Sequence, residues 1–238
     1  MSGHSEVLKV EAADEGSFAC YVAHPERPNG AVLVVLQEIF GVNADIRAIV
    51  DGFATQGFLA FAPDLFWRQE PAVELDPSSA AARERATTLM KGLSPPQAVE
   101  DAATAIRSIS SLFAPQARAF AVGYCLGGKL AYLLAARGAV EGAVSYYGVG
   151  IQGVLEEATH LKGLLLLHVA ADDHLCPPEA QRKITEALAP LGDRASVLTY
   201  PGVGHAFARR GGTAFNEQAA HRANQATTEF LQAALASE

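Results

Sequence analysis

The stretch Arg118–Ala136, RAFAVGYCLGGKLAYLLAA, decides the fold. Arg118–Val122 is an apolar run of strand type. Leu126–Arg137 is rich in Leu and Ala and stops at Gly138, as a helix does. Between them lies Gly123-Tyr124-Cys125-Leu126-Gly127, a G-x-C-x-G sequence. A strand that turns sharply into a helix strains the residue at the apex and crowds two backbones, and glycines on either side permit that approach. The apex side chain, here the Cys125 sulfur, then stands above the sheet at the positive end of a helix, where a thiolate is favoured. The pattern is a nucleophile elbow with cysteine where the motif has serine. The backbone N–H of Leu126 is the expected first oxyanion donor.

Strand and helix alternate on both sides of this turn. Upstream, AVLVVL at Ala31–Leu36 is a β-branched run suited to a strand buried on both faces. Asn43–Gln56 has helical spacing, Phe58–Ala62 is a second buried strand, and Pro77–Leu93 and Pro96–Leu112 read as helices with proline near their starts. The N-terminal segments Val7–Glu11 and Ser17–Ala23 form strands around the turn Asp14-Glu15-Gly16. Downstream, Gly142–Tyr147, Gly163–Val169 and Ser196–Tyr200 are strands, and Pro178–Leu191 and Phe215–Leu235 are helices. The alternation predicts an α/β fold over residues 1–238 as one domain, with a mostly parallel central sheet flanked by helices on both faces. In such sheets the reactive loops lie at the carboxyl ends of the strands.

Composition narrows the function. The 18 Lys and Arg against 26 Asp and Glu give a net charge of −8, which repels phosphate backbones, so no nucleic-acid partner is expected. No apolar run approaches the roughly 20 residues of a membrane span. Met1–Glu11 mixes His, Glu and Lys, so no signal peptide is expected. The three cysteines, Cys20, Cys125 and Cys176, are widely spaced and suggest neither a disulfide framework nor a metal site. A cytoplasmic protein without cofactor or metal is the expectation.

A nucleophile elbow needs an acid and a base further along the chain. Ala171-Asp172-Asp173-His174 follows one predicted strand, and Pro201-Gly202-Val203-Gly204-His205 follows the next. Both lie where the chemistry of a parallel sheet is expected. His205, in its Gly-rich loop, is the expected base; His168 reads as a core residue and His174 as a loop residue. Spacing does not choose between Asp172 and Asp173 as the acid.

These residues bring a family into view. The chain resembles the dienelactone hydrolases (carboxymethylenebutenolidases), a branch of the α/β-hydrolase fold, over roughly Ala31 to Leu231. The anchors are Gln37-Glu38-Ile39-Phe40-Gly41-Val42-Asn43, Pro63-Asp64-Leu65-Phe66, Gly123-Tyr124-Cys125-Leu126-Gly127-Gly128, Tyr146-Tyr147-Gly148, Asp173-His174 and Gly204-His205-Ala206-Phe207. The resemblance places the catalytic acid on Asp173. It gives Glu38 control over the ionisation of Cys125, and the backbone N–H of Ile39 becomes the second oxyanion donor. It assigns Arg83 and Arg209 to the carboxylate of the substrate. The implied reaction opens the lactone ring of dienelactone to maleylacetate through a thioester on Cys125, in a monomer needing no cofactor. A broader cysteine-dependent esterase or thioesterase is the alternative. Thr87 stands where relatives can carry an aromatic residue, and Ala206 where they can carry serine. Both departures bear on the preferred lactone and its isomer. Phe66, Trp67, Tyr146 and Tyr147 are candidates for either pocket wall or core.

Overall fold

Ala31–Leu36 is buried along its whole length, as its β-branched run requires. The computed structural model describes residues 3–237, which form two compact units, one up to Phe120 and one from Ala121 onward.

The first unit contains β1 (Ser5–Glu11), β2 (Ser17–Ala23), β3 (Ala31–Leu36), α1 (Ala44–Thr55), β4 (Leu59–Pro63), α2 (Ala80–Gly92) and α3 (Pro95–Phe113). Its strand order is β1-β2-β4-β3. β1, β2 and β4 pair antiparallel, whereas β3 and β4 pair parallel across the α1 crossover. Asn43 caps α1, its side chain accepting the Ile46 N–H at 3.2 Å. Ser79 caps α2 in the same way, which starts that helix later than Pro77 suggested. Pro95 and Pro96 occupy the first positions of α3, where a missing N–H costs nothing.

The loops after β3 and β4 lock together. Gln37 Oε1 accepts the Leu65 N–H at 3.2 Å. Asp64 accepts from the Phe66 N–H at 2.9 Å and the Ala72 N–H at 2.7 Å. Burial raises the Asp64 carboxyl above its ordinary value, and these N–H groups only partly offset it. Gly41 lies at φ +79°, and a Cβ there would sit 1.7 Å from the Val73 carbonyl oxygen. Two of the sequence anchors therefore fix one loop arrangement. Phe66 is fully buried; Trp67 packs on Phe18 and donates its indole N–H to Asp101 at 2.9 Å.

The chain passes into the second unit within β5 (Arg118–Tyr124) and continues with α4 (Leu126–Ala136), β6 (Gly142–Tyr146), β7 (Leu164–Ala170), α5 (Pro178–Leu188), β8 (Ala195–Tyr200) and α6 (Glu217–Ala236). The strand order here is β5-β6-β7-β8, with β6, β7 and β8 parallel. Tyr146 donates its hydroxyl to Asn224 of α6 at 2.9 Å. His168 of β7 is bonded through Nδ1 to the Tyr200 hydroxyl and through Nε2 to Thr227 of α6, both at 2.9 Å. The α/β architecture with a mostly parallel sheet is thus the one observed. The helix expected over Pro178–Leu191 ends as an α-helix at Leu188 and gives way to a 3₁₀ turn at Ala189–Arg194, and the 3₁₀ turns at Ile151–Gly153 and Leu155–His160 lack a helical apolar period long enough to register in the sequence. No helix is long and apolar enough to cross a membrane among the described residues.

Candidate active site

Cys125 sits between β5 and α4 at φ 54°, ψ −113°. A non-glycine residue there carries roughly 1–3 kcal/mol of strain, so its surroundings must hold it. They do so through its own peptide groups. The Cys125 N–H donates to the Tyr146 carbonyl at 3.0 Å. Its carbonyl accepts from the N–H groups of Gly128 and Val149 at 3.1 Å and of Lys129 at 3.4 Å. The flanking glycines are required by space. A Cβ on Gly123 would lie 1.9 Å from the Gly127 carbonyl oxygen. One on Gly128 would lie 2.7 Å from Ser145 Oγ and 2.8 Å from Gly148 Cα. Strand and helix can approach this closely only because neither position has a side chain.

The loops after β7 and β8 bring the expected base and acid together. His205 Nδ1 lies 2.8 Å from Asp173 Oδ2. A carboxylate accepting from Nδ1–H leaves Nε2 as the nitrogen that can take a proton. The other carboxylate oxygen, Asp173 Oδ1, accepts the Leu175 N–H at 2.8 Å. Burial works to raise the Asp173 carboxyl. The hydrogen bond and charge of His205, with the Leu175 N–H and the charge of His174, outweigh it and hold the group below its ordinary value. Asp172 is exposed, while Asp173 is buried. The structure thereby separates two residues that spacing could not.

Two features of this arrangement had no sequence signal strong enough to assign them. Tyr147 lies at φ 40° and donates its N–H to the His168 carbonyl at 2.8 Å. Its ring meets that of His205 edge-on, centroids 5.1 Å apart. It backs the imidazole, whereas Tyr146 packs into the core on Tyr124 and His168. Gln181 of α5 donates to the carbonyls of Ala170, Ala171 and Cys176 at 3.2, 3.1 and 2.8 Å, tying down the loop that carries Asp173. Ala206, directly after the base, is buried at φ 65° and so fixes the exit of the chain from His205.

Leu126 is the first residue of α4, so its N–H belongs to the positive end of that helix. Arg209 is half-buried, and its N–H donates to the Ala206 carbonyl at 3.0 Å. Glu38 is buried just beyond β3 and is followed by Ile39 in a turn. Arg83 is exposed on α2 and donates to the carbonyls of Pro77 and Ser78 at 2.9 and 3.0 Å, in the loop leading into its own helix. Arg85 pairs with Glu70. Thr87 donates its hydroxyl to the Arg83 carbonyl at 2.8 Å. His174 is exposed, and His168 is wholly buried. Burial alone drives the His168 imidazole down to about 3. That neutral, doubly bonded ring belongs to the core.

A strained cysteine at a strand–helix elbow and a histidine–aspartate pair in the loops after β7 and β8 match a known pattern. The sequence pattern of the dienelactone hydrolase family fits residues 18–235. The chain belongs to that family. A protein of Azospirillum brasilense is 41% identical over 226 residues, 94% of this chain and 96% of its own length. A carboxymethylenebutenolidase of Pseudomonas putida is 37% identical over 227 residues, 95% of this chain and 96% of its own. Among solved structures, one from Klebsiella pneumoniae superposes with a TM-score of 0.83 at 24% identity, covering 98% of this chain and 99% of that one. That likeness shows the fold. Membership of the dienelactone hydrolase family makes this chain a carboxylic ester hydrolase.

Proposed function

We propose that the protein opens the lactone ring of dienelactone (4-carboxymethylenebut-2-en-4-olide) to maleylacetate, with Cys125, His205 and Asp173 as its triad. The observation that carries this reading is the 2.8 Å bond from His205 to a buried Asp173, in a unit that also holds Cys125 in a strained elbow. The carboxymethylenebutenolidase relatives supply the substrate class.

In this mechanism the Cys125 sulfur attacks the lactone carbonyl carbon, and its proton passes to His205 Nε2. Asp173 holds the imidazole in the right tautomer and stabilises the imidazolium. The tetrahedral oxyanion takes hydrogen bonds from the backbone N–H groups of Leu126 and Ile39. The ring C–O bond then breaks. The leaving group is a delocalised enolate, a better leaving group than an alkoxide, so it departs ahead of the thiolate. The enolate takes the proton from His205, which frees Nε2 to deprotonate the water that attacks the thioester; the Cys125 thiolate then leaves and takes that proton back, restoring the enzyme. Glu38, buried at the end of its strand, governs the protonation of the cysteine: an anion near a thiol disfavours the thiolate until a substrate carboxylate displaces it.

Arg83 and Arg209 bind the substrate carboxylate in this reading. Arg83 faces its own loop carbonyls, so engaging a substrate changes its partners. Thr87 gives its hydroxyl to its own helix and Ala206 has none to give, so neither offers the substrate a hydroxyl. The test is a comparison of dienelactone with its methyl ester for the wild type and for Arg83→Lys and Arg209→Lys. A loss of the planar guanidinium fork should raise KM for the free acid by about tenfold and leave the methyl ester unchanged. Equal rates on acid and ester in the wild type would contradict the clamp and favour the broader cysteine esterase or thioesterase.

A further inference from the structure

A second cluster of reactive side chains lies at the open end of the β1–β2 ladder, in the first unit. The His24 N–H donates to the His4 carbonyl at 2.8 Å, so these residues stand opposite one another just beyond the Ser5–Ala23 pair. Side chains alternate along a strand, so His4 and Glu6 share one face, and cross-strand pairing puts His24 on that face too. One ligand atom from each of His4, Glu6 and His24 lies within 4.8 Å of the others. The two imidazoles are stacked, centroids 4.4 Å apart. His24 Nε2 is 2.9 Å from Glu6 Oε1, and the Phe113 ring meets His24 edge-on at 4.8 Å, which sets its orientation.

The cluster opens on a cavity of about 660 Å³ whose wall includes His4, His24, Glu26, Asp51 and Arg27. Two imidazole nitrogens and one carboxylate oxygen are a donor set that suits zinc and neighbouring divalent ions, and the cavity has room for water to complete four-fold coordination. Ligands about 2.0–2.1 Å from zinc lie roughly 3.3 Å from each other, so His24 and Glu6 are already close enough and the widest of the three separations has to close by at most about 1.5 Å. Rotation of the exposed His4 side chain supplies that movement. The expectation of no metal rested on the spacing of the cysteines; His4 and Glu6 are two residues apart in sequence, and His24 becomes their neighbour only through the β1–β2 pairing.

We propose that His4, Glu6 and His24 bind one divalent ion of the zinc type, which clamps β1 to β2. β1 ends the strand order of its unit, so such a clamp acts on the strand with a neighbour on one side only. An ion that binds the folded state alone raises stability by mass action.

The test uses the intact protein with zinc and cobalt(II) as probes. Wild type should bind one equivalent and gain roughly 5–10 °C in Tm at a hundredfold excess over the dissociation constant. Cobalt(II) should give ligand-field bands without thiolate charge transfer. His4→Ala and Glu6→Gln should each weaken binding by about tenfold or more and remove at least about half of the Tm gain at the same ion concentration. Binding unchanged in both variants, a cobalt–thiolate band that places the ion on a cysteine, or no binding at micromolar zinc would each overturn the proposal.

Discussion

Asp172 and Asp173 are adjacent, yet the structure makes one solvent-exposed and gives the other two bonds. Asp173→Asn keeps the shape but lets the imidazole settle in the wrong tautomer. It should lower kcat by about 10³–10⁴-fold on the lactone. Asp172→Asn should stay within about twofold of wild type. Steady-state kinetics on the two variants checks both, and an equal loss would contradict the assignment. The place of Cys125 at the strand–helix turn was legible because a G-x-C-x-G sequence separates an apolar run from a helical one. The choice of Asp173 was not legible from spacing, because it depends on which side chain turns inward where the chain leaves β7. The seating of the His205 ring against Tyr147 was equally hidden, since it follows from a positive φ that the sequence does not announce.

The β5–α4 turn works because it has no side chains at two crowded places. Gly123→Ala puts a methyl group against a backbone carbonyl that cannot swing away. It should cost at least about 3 kcal/mol in urea unfolding and displace Cys125, so activity falls further than stability does. In α3, Asp101 is almost fully buried and accepts from Trp67 Nε1 and from Arg68, which also reaches Asp14. Asp101→Ala leaves Arg68 only its exposed partner and should cost about 2–4 kcal/mol. A change below about 0.5 kcal/mol in chemical denaturation would show that the network is not structural. The strands and helices were readable because their apolar periods and caps are local. The register of β2 against β4, and the motifs that lock the loops after β3 and β4, involve residues far apart in sequence and needed the structure.

For the whole molecule, acid is the informative perturbation. The His168 imidazole titrates near 6.5 when unfolded and, through burial, only at about 3 when folded. Between those values the unfolded chain holds the extra proton, so acidification favours unfolding by up to about 1.4 kcal/mol per pH unit from this group. His168→Gln removes that proton, and its stability should fall less steeply than wild type between pH 6.5 and 5. Parallel urea midpoints across that range would contradict the burial. Asp173 acts in the same direction at lower pH: its carboxyl is held below the ordinary value, so its contribution is present above that value and is lost as pH falls through the folded one. The proposed lactone opening depends on the bond made at Cys125. The direct measurement is the loss of dienelactone absorbance, for the cis and trans isomers, with wild type and Cys125→Ala. Wild type should turn over at least one isomer, and the folded variant should lose at least about 10³-fold. A folded Cys125→Ala that keeps wild-type turnover would contradict that dependence on Cys125.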